Sequence, residues 1–225
     1  MGEALTVGVL GGTGPQGRGL ALRLAMAGHP VVLGSRDASR ARAVAAELLE
    51  EAAGQEEIDG LVSGAGNAQA AQAGDVVIIA VPWSGHEATV ASLRAELAGK
   101  VVVDCVNPLG FDKQGAFALE VPEGSAAQQA AALLPDSRVV AAFHHVSAVL
   151  LNDLDVHEVD TDVLVLGDDR AATDLVQGLA GSIPGVRGIY GGRLRNARQV
   201  EALTANLISI NRRYKVHAGI RVTDL

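Results

Sequence analysis

Cys105 is the only cysteine in the 225 residues, so the chain can form no internal disulfide and offers no cysteine-built metal site. Aromatic residues are also scarce, at 3%. One Trp, two Tyr and three Phe give too few rings for a base-stacking surface and leave the core to Ala, Val, Leu and Ile. Positive charge is in deficit too: 18 Lys and Arg against 26 Asp and Glu give a net charge of -8, which opposes binding to nucleic acid and to anionic membranes. No apolar stretch reaches about 18 residues, the length of a membrane span, and the first strand-like run begins too early to leave room for a signal peptide. The expectation is a cytoplasmic protein that avoids both nucleic acid and membranes.

Hydrophobic residues make up 48% of the chain and charged residues 20%, as in a packed globular protein. Strand-like runs at 6–10, 31–33, 60–62, 75–81, 101–105 and 138–142 alternate with helical patterns at 15–27, 38–53, 67–73, 86–98 and 125–134. Gly28, Gly54, Gly74 and Gly99 are natural stops for several of these helices. Continuous apolar runs such as 76–81 suit strands buried on both faces, so the alternation predicts a parallel α/β sheet covered by helices on both sides. After His144 the rhythm changes to a strand at 162–166, a helix at 171–183 and a long helix at 195–217. The predicted division is a nucleotide-binding domain over 1–150 and a smaller C-terminal α/β lobe over 151–225.

Gly12, Gly14 and Gly17 fit a G-x-G-x-x-G pattern, which is weak evidence in an Ala- and Gly-rich chain unless its surroundings fit. Here a strand precedes it and a helix follows, with Pro15 suited to the first turn. Glycines let the backbone turn sharply and let a pyrophosphate approach the helix N-terminus, where N–H groups and the helix dipole attract negative charge. The fold class predicted is therefore a doubly wound sheet of Rossmann type, the alternative being a glycine-rich turn that binds nothing.

Cofactor choice is made at the end of the second strand, where NAD enzymes carry an acidic residue for the ribose hydroxyls. This chain has Gly34-Ser35-Arg36 there, with Arg40 one helical turn later. A hydroxyl and one or two guanidinium forks suit a 2′-phosphate and predict NADP(H), unless Ser35 and Arg36 only cap a helix in water.

The run at 75–81 leads into Pro82, Trp83 and His86, and Asn107 and Pro108 follow the next strand, all expected near the ligand edge of the sheet. Trp83 either faces the cofactor or packs between lobes. His144 and His145 follow the sixth strand. Adjacent residues of an extended segment point to opposite faces, and no cluster of metal-binding side chains surrounds them, so no metal site is expected. One of the two contacts a bound ring or phosphate, or both are structural.

A reductase acting on a carbonyl or imine needs a proton donor, and donors are hard to find here. The residues four positions after Tyr190 and Tyr214 are Leu194 and Ala218, so no Tyr-x-x-x-Lys pair exists, and the three lysines, Lys100, Lys113 and Lys215, lie outside the helices expected to line the crevice. An acceptor with its own delocalised ring system needs no such donor.

The chain resembles the NADPH:coenzyme F-420 oxidoreductases, which exchange hydride between NADP and an 8-hydroxy-5-deazaflavin. The resemblance rests on Gly11-Gly12-Thr13-Gly14-Pro15-Gln16-Gly17-Arg18-Gly19-Leu20-Ala21-Leu22-Arg23-Leu24-Ala25, Gly34-Ser35-Arg36, Val81-Pro82-Trp83, His144 and Val200-Glu201-Ala202-Leu203-Thr204. It implies that the first stretch, with Thr13 and Gln16 among its residues, cradles the pyrophosphate, and that Ser35, Arg36 and Arg40 hold the 2′-phosphate. It further implies that Val81, His86, Asn107 and Ala148 line the NADP site. The deazaflavin would lie near His144 and Val146 and a C-terminal segment around Ala218 and Gly219. A homodimer and direct, reversible hydride transfer by positioning, with no indispensable acid or base, are implied as well. Two rival readings are an NADPH-dependent flavin or ferric reductase and a non-enzymatic NADP(H) sensor that binds partner proteins.

Overall fold

The computed structural model describes residues 4–53, 58 and 60–225. The first strands and helices alternate: β1 (Val7–Leu10), α1 (Pro15–Met26), β2 (Val31–Ser35), α2 (Ala38–Glu51), β3 (Val62–Gly66), α3 (Asn67–Ala73) and β4 (Val76–Ile79). Then come α4 (His86–Ser92), α5 (Arg94–Leu97), β5 (Val101–Asp104), a hairpin of β6 (Leu109–Asp112) and β7 (Gly115–Ala118), α6 (Ala126–Leu133) and β8 (Arg138–Ala141). The chain ends with α7 (Ala148–Asn152), β9 (Thr161–Gly167), α8 (Arg170–Gly181), β10 (Val186–Gly192) and α9 (Ala197–Tyr214).

Eight strands form one sheet in the order β10-β9-β8-β5-β4-β1-β2-β3, parallel throughout except where β9 runs against β8. Strands β1, β4 and β5 are buried at every position, which is why, up to Asp104 at the end of β5, they carry no polar side chain. From β1 the chain winds outward through β2 and β3, then returns to β4 on the other side of β1. That reversal opens a crevice at the C-terminal ends of β1 and β4, where doubly wound folds bind ligands.

Residues after 150, expected as a smaller lobe, prolong this same sheet through β9 and β10. Because β9 is antiparallel to β8, its first residues, Thr161 and Asp162, lie at the ligand edge. On the other flank, fully buried Arg23 of α1 donates to the carbonyls of Leu150, Leu151 and Asp153 and so ties the nucleotide half to the segment around α7.

Several boundaries differ from expectation. The strand expected at 60–62 lies at Val62–Gly66, because α2 lies directly on it: a Cβ on Gly64 would come within 2.3 Å of the Ala41 backbone, so close packing replaces apolar side chains with glycine. The helix expected at 86–98 breaks at Leu93 into α4 and α5. The last helix stops at Lys215, whose φ of 59° is left-handed. The hairpin, α7 and β10 were not expected from the sequence. Of the expected helix stops, Gly54 lies outside the described residues.

Candidate functional site

The turn after β1 is built for close backbone approach. Gly11 has φ +71°, a Cβ on Gly12 would stand 2.5 Å from Leu33 Cδ2, and one on Gly17 would stand 2.8 Å from the Gly12 Cα. At Gly14, the N-cap of α1, the nearest atom to a Cβ is 3.5 Å away, so packing leaves that face open toward the crevice. Pro15 occupies the first turn of α1, and the Gln16 side-chain amide reaches the Phe143 carbonyl at 3.4 Å. The β4 loop meets this turn: a Gly11 Cβ would touch Val81 Cγ1 at 2.8 Å.

At the end of β2, Ser35 is buried and its Oγ accepts the Asp37 amide at 3.2 Å, which leaves the hydroxyl hydrogen free to donate. Arg36 and Arg40 are exposed on either side of Asp37. Asp37 caps α2, its Oδ1 accepting from the Ser39 amide at 2.9 Å, the Ser39 hydroxyl at 2.6 Å and the Arg40 amide at 3.4 Å. The Ser39 hydrogen bonds, foremost the one from its hydroxyl, hold the Asp37 carboxyl below its usual range. The cation pair expected for a 2′-phosphate is therefore present with a carboxylate between its members. The N-cap pattern Asp37-Ala38-Ser39 was a readable signal for this residue.

Pro82 is exposed and Trp83 half-buried in the loop after β4. His86 does not reach the crevice surface. Its side chain is fully buried, with Nε2 2.6 Å from Asp104 Oδ2 and Nδ1 2.8 Å from Gln129 Oε1, because α4 turns it back between β5 and α6. Burial works against its charge, but the hydrogen bond and attraction of Asp104 outweigh it and raise its pKa.

Asn107 and Pro108 follow β5. The Asn107 amide donates to the His144 carbonyl at 2.8 Å, and Thr204 of α9 donates to that same oxygen at 3.1 Å. Two residues beyond the end of β8, Phe143 has a φ of 64°, which is left-handed and strained for a bulky residue. His144 follows it, buried and with no partner for either ring nitrogen among the described residues, and burial pushes its pKa down to about 4. His145 points elsewhere, its Nε2 lying 2.7 Å from the Asp162 carbonyl. Among the described residues no group of side chains could hold a metal ion.

Val146 is buried, and Ala148 begins α7. Ala218 and Gly219 are placed beside the first residues of β9: the Ile220 carbonyl accepts from the Asp162 amide at 2.8 Å, and a Cβ on Gly219 would stand 2.5 Å from Thr161 Oγ1. The structure thus gathers residues 11–17, 35–40, 81–83, 107, 144–148 and 218–219 along one edge of the sheet and leaves His86 behind it. Asp104 and Glu201 were not foreseen as parts of its support. Buried Glu201 takes the amides of Ala126 and Ala127 at 2.9 and 3.2 Å, and burial lifts its carboxyl to about pH 7. A carboxylate inside an otherwise apolar helical stretch is the signal that could have marked it.

Residues 6–108 match the family model described as "NADP oxidoreductase coenzyme F420-dependent". The chain is 44% identical over 226 residues to the F420-dependent NADP reductase of Methanothermobacter marburgensis, covering 98% of this chain and 99% of that protein. It is 41% identical over 225 residues to the protein of the same name from Methanocaldococcus jannaschii, covering 98% and 99%. Among solved structures, it matches an Arthrobacter protein provisionally assigned as an F420-dependent NADP-reductase with a TM-score of 0.79 and 28% identity, over 98% of this chain and 100% of that one.

Proposed function

Because the chain belongs to the family of F420-dependent NADP reductases, we propose that it transfers hydride directly and reversibly between NADP(H) and coenzyme F-420. Bound together, the two coenzymes supply the redox chemistry, hydride passing between carbon 4 of the nicotinamide and carbon 5 of the deazaflavin. The protein supplies position, and aligned contact of about 3 to 3.5 Å carries much of the rate.

Residues 11–17 cradle the pyrophosphate, and Ser35, Arg36 and Arg40 hold the 2′-phosphate. The fit rests on a turn that Gly12 and Gly17 pack too tightly for any Cβ, on the open face at Gly14, and on two exposed guanidinium groups beside a serine with a free hydroxyl hydrogen. Val81, Pro82, Trp83, Asn107, Pro108 and Ala148 border the nicotinamide half. His144, Val146, Ala218 and Gly219 border the deazaflavin. Residues 1–150 form the nucleotide half, and 151–225 complete the second cofactor's site and the contact with a second copy.

The placement of the proton donors carries the mechanistic reading. Lys100 is held by the carbonyls of Gln72 and Gly74 just before β5, at the opposite edge of the sheet, and Tyr190 and Tyr214 are exposed. His144 is neutral at working pH. A reaction that requires no proton from the protein is consistent with that arrangement.

A homodimer is supported by Phe111 and Tyr214, both about 70% exposed on the hairpin and on α9 in a chain with few aromatics. No helix among the described residues is long and apolar enough to cross a membrane, which supports a cytoplasmic location together with the single buried cysteine. The test is to mix the protein with NADPH and oxidised deazaflavin and follow the visible absorption of the deazaflavin. Its loss supports the proposal. Reduction of ferric citrate with FMN in its place, or NADPH binding with no turnover of either acceptor, overturns it.

A further inference from the structure

His86 has hydrogen-bond partners that fix its protonation. Asp104 Oδ2, at 2.6 Å from Nε2, is an acceptor, and Gln129 Oε1, at 2.8 Å from Nδ1, is another. Rotating the Gln129 amide by half a turn does not relieve this. Its NH2 group now donates to Glu123 Oε2 at 3.3 Å, and the rotation would set an amide oxygen against that carboxylate. Both ring nitrogens must therefore carry hydrogen. The resulting imidazolium lies 5.4 Å, ring centre to ring centre, from Trp83, within reach of a cation–π contact.

These partners belong to different parts of the crevice floor. Trp83 lies in the loop after β4, and Asp104 ends β5. The other oxygen of Asp104 accepts the Val106 amide at 2.9 Å, one residue before Asn107 takes the His144 carbonyl. We propose that His86 is a buried imidazolium that acts as a positioning residue, locking the loops after β4 and β5 into one rigid floor beneath the nicotinamide. The ionisable groups facing it are Asp104 from β5, Glu123 through Gln129 of α6 and Glu201 of α9. Losing its proton would leave Asp104 buried as an uncompensated charge, which is why the cation persists in an apolar setting. The raised pKa of His86 agrees.

The kinetic consequence rests on the crevice being the NADPH site, whereas the charge on His86 does not. Trp83 is the only tryptophan, so its emission reports on His86 directly, because a protonated imidazole quenches a neighbouring indole. Emission of the wild type is expected to stay low and flat from about pH 6 to 8 and to rise only in more alkaline solution, with kcat falling in step. His86→Gln should show higher, pH-independent emission. Its kcat should fall about tenfold to a hundredfold, with the KM for NADPH held within about threefold.

Emission that titrates near the ordinary histidine value of about 6.5, or a variant with unchanged kcat and pH profile, overturns the proposal. Nitrogen-15 spectra of the wild type need no variant: hydrogen on both His86 ring nitrogens at neutral pH supports it, and one bare nitrogen overturns it. A wild type that fails to reduce the deazaflavin overturns the proposed function but leaves the emission and nitrogen results standing.

Discussion

Arg187 grips Asp162 with both arms of its guanidinium, Nε to Oδ1 and Nη2 to Oδ2, each at 2.7 Å. Arg221 adds a third bond of 2.7 Å to Oδ1, and the Val222 amide donates to Oδ2 at 2.6 Å, so one buried carboxylate fastens the C-terminal segment to the first residues of β9. The same Arg187 donates to the carbonyls of Val222 and Leu225.

Asp162→Asn removes the charge that holds this segment, so the amides of Ile220 and Val222 should lose hydrogen-exchange protection while Val163 and Val165 in β9 keep theirs. Its hydrogen bonds, foremost that from Arg187, hold the Asp162 carboxyl well below the usual range. For a depressed carboxylate the stabilisation is present above the unfolded value of about 3.9 and is lost only as pH falls below it. The segment should therefore stay anchored down to about pH 4 in the wild type. With Ala218 and Gly219 proposed at the deazaflavin, the variant should raise the KM for deazaflavin and leave NADPH binding unchanged. An equal loss of NADPH binding would argue against that assignment.

The nucleotide half was largely legible in the sequence because its signals are local. A glycine turn between strand and helix, a Ser-Arg pair at the next strand end and apolar runs of strand length each report on a few adjacent residues. The parts that were missed depend on contacts distant in sequence. Strand β10 reads as loop because Gly188 lies under the Gln177 backbone of α8, where a Cβ would come within 2.4 Å of a carbonyl oxygen. His86 looked like a cofactor ligand because its position after β4 was visible and its pairing with Asp104, 18 residues away, was not.

Gly12→Ala and Gly14→Ala separate folding from binding. A methyl at residue 12 collides with Leu33 Cδ2 and stands 2.9 Å from the Val9 carbonyl oxygen, so it should cost about 1 to 3 kcal/mol of stability. A methyl at residue 14 meets nothing closer than 3.5 Å and should leave the unfolding midpoint nearly unchanged. Its expected effect is weaker NADPH binding, because it projects where the pyrophosphate would sit. Denaturant titration beside NADPH titration measures both, and a Gly14→Ala protein with intact affinity would remove that residue from the cradle.

Glu201 and His144 make opposite contributions to the pH dependence of stability. Burial raises Glu201 to about 7, so its contribution is complete below about pH 4.5 and is lost as pH rises through 7. Burial lowers His144 to about 4, so its contribution is complete above about pH 6.5 and is lost as pH falls through 4. Each shift corresponds to about 3 kcal/mol. Glu201→Gln should gain on the wild type between pH 4.5 and 7 in denaturant titrations, and a constant difference across that range would show that the carboxyl is not displaced.

His144 should matter to rate only through contact. It is neutral and, among the described residues, without a hydrogen-bond partner, so no imidazolium proton is poised for the reaction. His144→Ala is expected to slow hydride transfer about tenfold or less, the scale of lost positioning and below the full span of general acid catalysis. Near-abolition of turnover at unchanged binding would make His144 a proton donor after all.

The balance of charge at the end of β2 should set the preference for NADP over NAD. Arg36 and Arg40 favour a 2′-phosphate, and hydrogen bonds from charged groups are worth about 1.5 to 3 kcal/mol each. Arg36→Ala is therefore expected to raise the KM for NADPH about ten- to a hundredfold while hardly changing that for NADH. Equal losses would sink the clamp. Asp37 would oppose a 2′-phosphate held there, yet its carboxylate also caps α2, so the two roles must be separated. Asp37→Asn keeps a capping side chain of equal quality and removes only the charge. It should tighten NADPH binding about two- to fivefold, leave NADH unchanged and lose that advantage as salt screens the site. Asp37→Ala should instead lower the melting temperature through the lost cap. If Asp37→Asn leaves the ratio of the two affinities unmoved at low salt, the carboxylate lies too far from the phosphate to be felt, and its role is to cap α2 alone.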